Sequence, residues 1–183
     1  MDIPEGCEID GTIFTRCPKD FVGDLAIPDG ITFVGWRAFE KCRSLTGVYI
    51  PPSVIVIGAG AFCGCSSLTH IRIPESVTAI GMQAFYGCGH LKSVEVANSV
   101  ASIGEHAFWS CGNLTSAILP KGCEIGKNVF PPSCEIFKGT VPEYRAYLAK
   151  NFAEAQAGEG VEIVGMHAPQ TEPVIDSRGG RGI

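Results

Sequence analysis

The sequence predicts one solenoid domain, in which about six short rungs of parallel β-strand stack on one another. Two observations predict it: a unit of 23 residues recurs without gaps, and apolar residues hold the same positions in each copy. Hydrophobic residues make up 45% of the chain and charged residues 18%, which suits a packed core. A unit of this size cannot bury its own apolar face, so the copies must cover one another.

Four complete copies span residues 27–118 and share the pattern IPxxVxxIGxxAFxxCxxLxxIx. Residues 1–26 form a degenerate N-terminal repeat that serves as a cap, and residues 119–140 form a degenerate fifth repeat. The two end copies share the sequence Pro-x-Gly-Cys-Glu-Ile. Atypical end copies are expected in a stacked array, because an end rung lacks a neighbour on one side.

The apolar columns predict two strands in each rung. Leu45 is followed by Val48 and Ile50, and this spacing ends in the two-residue alternation typical of a strand with one buried face. We call this the ladder strand. The proline that follows ends it, because proline cannot donate a backbone hydrogen bond. Val54 and Ile57 mark a second, shorter strand in the next unit.

The second strand is followed by a glycine and then by an Ala-Phe pair. The glycine indicates either a turn with positive φ or a close backbone approach, and the sequence leaves both alternatives open. The phenylalanines are predicted to stack in one buried column on short helical turns. The two columns are Gly35, Gly58, Gly81 and Gly104, and Phe39, Phe62, Phe85 and Phe108.

The order Ile-Pro, Val-x-x-Ile-Gly, Ala-Phe-x-x-Cys and Leu-x-x-Ile resembles the BspA-like, or Treponema-type, leucine-rich repeat. The match is close over residues 27–118 and looser over 3–26 and 119–137, and Ala97 stands where the pattern has proline. The resemblance implies a leucine-rich-repeat solenoid whose ladder strands form a parallel, concave sheet. It also implies a binding role, most often as a surface protein or adhesin.

A cap is predicted after the last repeat. Thr140 and Glu143 have the spacing of a capping box, and apolar residues then follow at helical intervals. Residues 141–165 are therefore predicted to form a helix and a short strand that close the array, as the resemblance also implies. Residues 166–183 lack apolar periodicity and are predicted to be a disordered tail.

The chain contains nine cysteines, and most of them recur at the repeat period. Cysteines placed by the repeat are predicted to pack in the core as free thiols. A zinc or thiol redox site is a remote alternative, for which Cys63, Cys65, Cys88 and His90 are the candidate groups. No nucleophile, base and orienting group come together in the sequence, so we predict no enzymatic activity and no cofactor.

Charge and hydropathy narrow the choice of partners. A net charge of −5 argues against nucleic acid as the main partner, and no apolar run has the length of a transmembrane helix. The N-terminus shows no signal peptide, which predicts an intracellular location, or the cell surface or secretion if a leader has been removed.

The predicted function is a non-enzymatic protein-binding module or a structural subunit of a larger assembly, with a surface or secreted adhesin as the alternative. The outward positions of the ladder strands are the first candidate surface, because tyrosine and arginine anchor many protein interfaces. Its candidate residues are Tyr49, His70, Arg72, Glu95 and Ile118. The alternative surface is a convex stripe of Trp36, Tyr86 and Trp109.

Overall fold

The computed structural model describes residues 5–157. The strand predicted within 158–165 and the tail predicted over 166–183 lie outside the described residues. In chain order the elements are β1 Glu8–Asp10, β2 Ile13–Arg16, β3 Val22–Ala26, β4 Phe33–Val34, β5 Ser44–Tyr49, β6 Val56–Ile57, β7 His70–Ile71, β8 Ala79–Ile80, β9 Ser93–Glu95, β10 Ser102–Ile103, β11 Ser116–Leu119, β12 Glu124–Ile125, β13 Glu135–Lys138 and α1 Val141–Ala157.

One sheet runs the length of the solenoid. Its seven strands lie in the order β1-β2-β4-β6-β8-β10-β12. All neighbours are parallel except β1, which turns back antiparallel to β2 and so closes the N-terminal end. Corresponding residues of successive repeats pair directly, as Phe33 does with Val56 and Val56 with Ala79. Paired residues of β4, β6 and β8 are therefore 23 positions apart, as the repeat predicts.

The ladder strands form the opposite side of the solenoid. They make two sheets of three parallel strands, β3-β5-β7 and β9-β11-β13. The edge strand β7 of the first sheet lies next to the edge strand β9 of the second. The predicted leucine-rich-repeat solenoid is confirmed, with a ladder face that is divided near its middle.

The core is a set of columns, of which the phenylalanine column is the clearest. Six rings stack with centroids 4.7–5.2 Å apart and planes within 13° of parallel. These rings are Phe14, Phe39, Phe62, Phe85, Phe108 and Phe130. Spacing close to the distance between neighbouring strands shows that the backbone ladder sets the ring positions.

The turn that carries each phenylalanine differs from the predicted helical turn. Successive hydrogen bonds there join each N–H to the carbonyl oxygen three residues earlier, as in a chain of β-turns. Examples are Ala38 N–H to Gly35 O and Cys42 N–H to Phe39 O. Left-handed residues interrupt them at two fixed repeat positions, with φ of 53° at Arg37 and 61° at Lys41. These residues aim their N–H groups at the next rung, where Lys41 donates to Cys63 O at 2.8 Å. Bonding between rungs therefore replaces bonding along a helix.

The repeated glycine after the second strand is explained by a close approach, not by a positive φ. A Cβ atom on Gly81 would lie 2.5 Å from the backbone nitrogen of Ala59 in the preceding rung. A Cβ on Gly58 would lie 2.6 Å from the carbonyl oxygen of Val34. Any side chain at this column would push the rungs apart.

The cysteine column packs beside the phenylalanines and also forms hydrogen bonds. Cys65 and Cys88 are fully buried. The Cys65 thiol donates to Phe39 O at 3.0 Å, and the Cys88 thiol donates to Phe62 O at 3.3 Å. The thiol therefore gives a second hydrogen bond to a carbonyl of the preceding rung that already accepts one within its own turn, a contact that alanine would not provide.

Candidate protein-binding face

The ladder face presents one column of outward side chains whose chemistry changes at every rung. Tyr49 is 59% exposed, and Arg72 and Glu95 are also exposed. Ile118 continues the same column but is half-buried. Since these residues occupy equivalent positions in successive repeats, their backbones are about 4.8 Å apart from one rung to the next.

The side chains at the centre of this column are not held by the protein itself. Within residues 5–150, Tyr49, Arg72 and Glu95 make no side-chain hydrogen bond or ion pair with one another or with a neighbour. A hydroxyl, a guanidinium and a carboxylate are therefore exposed to solvent and available to form hydrogen bonds with a partner.

The neighbouring outward column is more internally bonded. Asp24 Oδ1 accepts a hydrogen bond from the Thr46 hydroxyl at 2.6 Å, and His70 Nδ1 lies 3.0 Å from the Thr69 hydroxyl. Asp24 and His70 also crowd Gly47, whose Cβ would lie 2.8 Å from the Asp24 carboxylate. His70 therefore lies beside the column of Tyr49, Arg72 and Glu95, and its Nδ1 already makes a hydrogen bond with Thr69.

The C-terminal helix is fixed by a capping box and an ion pair. Thr140 N–H donates to Glu143 Oε2 at 2.7 Å, and Glu143 N–H donates to Thr140 Oγ1 at 3.4 Å. Lys121 Nζ donates to Glu143 Oε1 at 2.7 Å and so ties the helix to the fifth repeat. The hydrogen bond from Lys121, followed by that from Thr140, lowers the pKa of Glu143 to about 2.

The helix packs on the outward side of the last rungs, which the sequence did not predict. The ring of Tyr144 lies 5.2 Å from that of Phe137, an outward residue of β13, and Tyr144 interacts with Ser116 on β11. Burial in this contact raises the pKa of Tyr144. The helix therefore forms a wall at one end of the ladder face, and the free surface is the part from Tyr49 to Glu95.

The junction between the wall and the face contains a cavity of about 20 Å³, lined in part by Glu95, Ile118 and Thr140. This volume holds about one water molecule.

The three residues of the predicted convex stripe do not share one column. Trp36 follows the close-approach glycine, is 66% exposed, and carries the Arg37 guanidinium 4.6 Å above its ring. Tyr86 and Trp109 are half-buried in a different column, four residues further along each repeat. The structure therefore separates Trp36 from the other two aromatic residues.

Sequence reasoning missed part of the apolar surface around Trp36. Met82, which is 51% exposed, lies in the same column two rungs away, and Ile55 is also exposed. We call the surface formed by these residues and their neighbours on the seven-stranded sheet the outer apolar patch; it consists of Ile13, Phe33, Trp36, Ile55, Val56 and Met82. The unbroken apolar run 54–57 could have revealed this surface. Only its first and last residues are core positions of the repeat, so the two apolar residues between them are left for the surface.

The residues of the zinc or redox alternative do not converge. Cys65 and Cys88 are fully buried, whereas His90 is exposed with Nδ1 2.5 Å from Ser66 O. Across the described part of the chain, no group of three or more histidine, cysteine or acidic side chains has the arrangement of a metal site. Burial raises the pKa of the Cys65 thiol, which disfavours the reactive thiolate.

The described residues contain no helix that could cross a membrane. Their single helix, α1, lacks the long apolar stretch that a bilayer-spanning segment needs.

Six copies of the BspA type leucine rich repeat region match residues 7–152, and the chain belongs to this family. The predicted resemblance is therefore confirmed over most of the chain. No curated protein is detectably similar in sequence to it.

Solved structures with this fold come from several bacteria. A leucine rich cell surface protein from Faecalibacterium prausnitzii matches with a TM-score of 0.66 and 27% identity, over 73% of this chain and 37% of that one. A leucine-rich repeat protein from Bacteroides ovatus matches with a TM-score of 0.52 and 28% identity, over 64% and 37%. The chain thus spans about a third of the length of these two proteins.

The leucine rich repeat protein of T. pallidum is similar in fold alone, with a TM-score of 0.55 and 20% identity over 81% of this chain and 95% of that one. Nothing in these comparisons supports the predicted intracellular location, whereas the neighbour from F. prausnitzii is described as a cell surface protein.

Proposed function

We propose that this chain is a non-enzymatic protein-binding module that recognises its partner through the ladder face. Tyr49, Arg72 and Glu95 make the central contacts, with His70 and Ile118 at the margins. The observation that carries the proposal is a column of three exposed side chains, at equivalent positions of successive rungs, that have no partner among residues 5–150. A rigid scaffold limits the entropy that is lost on binding.

We further propose that the module acts at the cell surface or after secretion, as an adhesin or as part of a larger surface assembly. Membership of the BspA-type family supports this location, as does the likeness to a cell surface protein of F. prausnitzii. Protease treatment of intact source cells tests it. Loss of the protein before the cells lyse is the expected result, and full protection contradicts a surface location.

Affinity capture with matched variants tests the binding face. The bait is presented as wild type, as Tyr49→Ala/Arg72→Glu/Glu95→Arg, and as Trp36→Ala/Tyr86→Ala/Trp109→Ala. Circular dichroism first confirms that each variant is folded. We expect a partner that binds wild type and the second variant but not the first. A partner that is lost only with the second variant moves the site to the aromatic convex surface and contradicts the proposal.

A further inference from the structure

The N-terminal cap brings together two cysteines, Cys7 and Cys17. In the hairpin of β1 and β2, Glu8 is paired with Arg16 and their side chains form a salt bridge on the outer side. Cys7 precedes Glu8 and Cys17 follows Arg16, so the two cysteines flank this pair at the same end of the hairpin.

Other contacts hold these two segments together. A Cβ atom on Gly6 would lie 2.7 Å from Cγ of Pro18, so the backbone before Cys7 lies against the residue that follows Cys17. Cys17 is buried, and Cys7 is half-buried and packs against the core. The hydrogen bond with the Cys42 thiol, then burial, and then the Cys7 thiol raise the pKa of Cys17, so the thiols of Cys7 and Cys17 interact directly.

We propose that Cys7 and Cys17 form a disulfide bond that locks the N-terminal hairpin onto the solenoid under oxidising conditions. A disulfide requires Cβ atoms about 3.5–4.5 Å apart, whereas directly opposed residues of an antiparallel pair lie about 4.5–5.5 Å apart, so bond formation draws the two segments slightly closer together. The bond ties the segment before β1, the antiparallel strand of the seven-stranded sheet, to the segment after β2.

The oxidant is a small-molecule disulfide such as oxidised glutathione. The Cys7 thiolate attacks one glutathione sulfur, which breaks the glutathione disulfide and releases one glutathione thiolate. The Cys17 thiolate then attacks the Cys7 sulfur of the mixed disulfide and releases the second glutathione. In total, two protein thiols lose two protons and two electrons, and one oxidised glutathione becomes two reduced molecules.

Peptide mapping of the full chain tests this bond. The reduced protein is equilibrated with reduced and oxidised glutathione, alkylated, cut with trypsin and analysed without reduction. Cleavage after Arg16 and Lys19 separates the two cysteines, so the expected product is peptide 1–16 linked to peptide 17–19. A link from 17–19 to 42–43 overturns the proposal, and so does Cys7 that stays free or bound to glutathione.

Thermal unfolding of variants gives an independent readout. We expect oxidation to raise Tm by about 5 °C in wild type and in the control Cys63→Ser, which changes another half-buried cysteine. Cys7→Ser should show no rise, while its Tm in reducing buffer stays close to that of the reduced wild type. A rise in oxidised Cys7→Ser equal to that of wild type would assign the effect to other thiols and overturn the proposal.

Discussion

The interior columns and the ladder face of this solenoid follow opposite rules. Inside, the same phenylalanine ring repeats at spacings of 4.7–5.2 Å in every rung. Outside, the equivalent positions change from Tyr49 to Arg72 to Glu95 within three rungs. Stacking imposes the repeat only where side chains of adjacent rungs must fit one another, so the outward positions are free to differ. The fold is encoded in what repeats, and we propose that the partner is recognised by residues that do not repeat.

Removal of one ring from the column should produce the largest effect. Phe62 is fully buried between Phe39 and Phe85, so Phe62→Ala leaves a cavity that the flanking rings cannot fill. We expect the free energy of unfolding to fall by about 3–5 kcal/mol in urea titrations. The matched surface change Tyr49→Ala should cost less than about 0.5 kcal/mol. Similar losses in the two variants would contradict the contrast between interior and face.

A side chain on a close-approach glycine should have the next largest effect. The Cβ atom of Gly81→Ala meets backbone atoms of Ala59, which cannot move without separating two rungs. We expect a loss of about 1–3 kcal/mol in the same titrations. Gly89→Ala is the control, because a Cβ atom there meets nothing within 4 Å. If Gly89→Ala were the more damaging change, the close-approach explanation would be wrong.

Substitutions at the two left-handed turn positions should change the stability by smaller amounts. Removing a glycine should destabilise the fold, and introducing one should not. Gly87 has φ of 71° and Gln83 has φ of 56° at the two recurring positions. Gly87→Ala should cost about 1 kcal/mol because a Cβ atom is disfavoured in that conformation. Gln83→Gly should stabilise the fold or leave its stability unchanged. Calorimetry of both variants checks this pair, and destabilisation by Gln83→Gly comparable to that by Gly87→Ala would argue against backbone strain.

The contacts of Glu143 that hold α1 should weaken at acid pH, when this carboxylate becomes protonated. Its pKa is lowered to about 2 in the fold, so its contribution is complete above the usual carboxyl range and is lost as pH falls from about 4.5 towards 2. We therefore expect the difference in Tm between wild type and Glu143→Gln to be small, present at pH 6 and absent near pH 2. A difference that stays constant over this range would show that the Lys121 ion pair contributes nothing.

The sequence was most informative where the chain repeats. The columns of Phe62 and Cys65 and the register of the strands followed from the 23-residue period, because one stacking geometry satisfies every rung. The left-handed turns were hidden because glycine occupies these two positions in only some rungs, while Arg37, Gln83 and His106 share one of them and Lys41 and Ser110 the other. A lysine at such a position gives no sign of its backbone conformation.

The parts that occur once could not be read in this way. The packing of Tyr144 on Phe137 depends on the direction in which α1 leaves the last rung, and a capping box specifies only where the helix begins. Cys7 lies near Cys17 because β1 turns back on β2. The similar sequence around Cys123 instead leads into β12, which continues the parallel sheet. Local sequence similarity between the two ends therefore did not predict their different structures.

Site-specific photo-crosslinking tests the central claim most directly. A photoreactive phenylalanine analogue is placed at position 49 on the ladder face and, in a separate protein, at position 82 on the outer apolar patch. Each protein is irradiated with intact source cells and with their secreted proteins, and mass spectrometry identifies the joined peptides. The account predicts one partner crosslinked from position 49 and absent from position 82. A partner crosslinked from position 82 and absent from position 49 would contradict it.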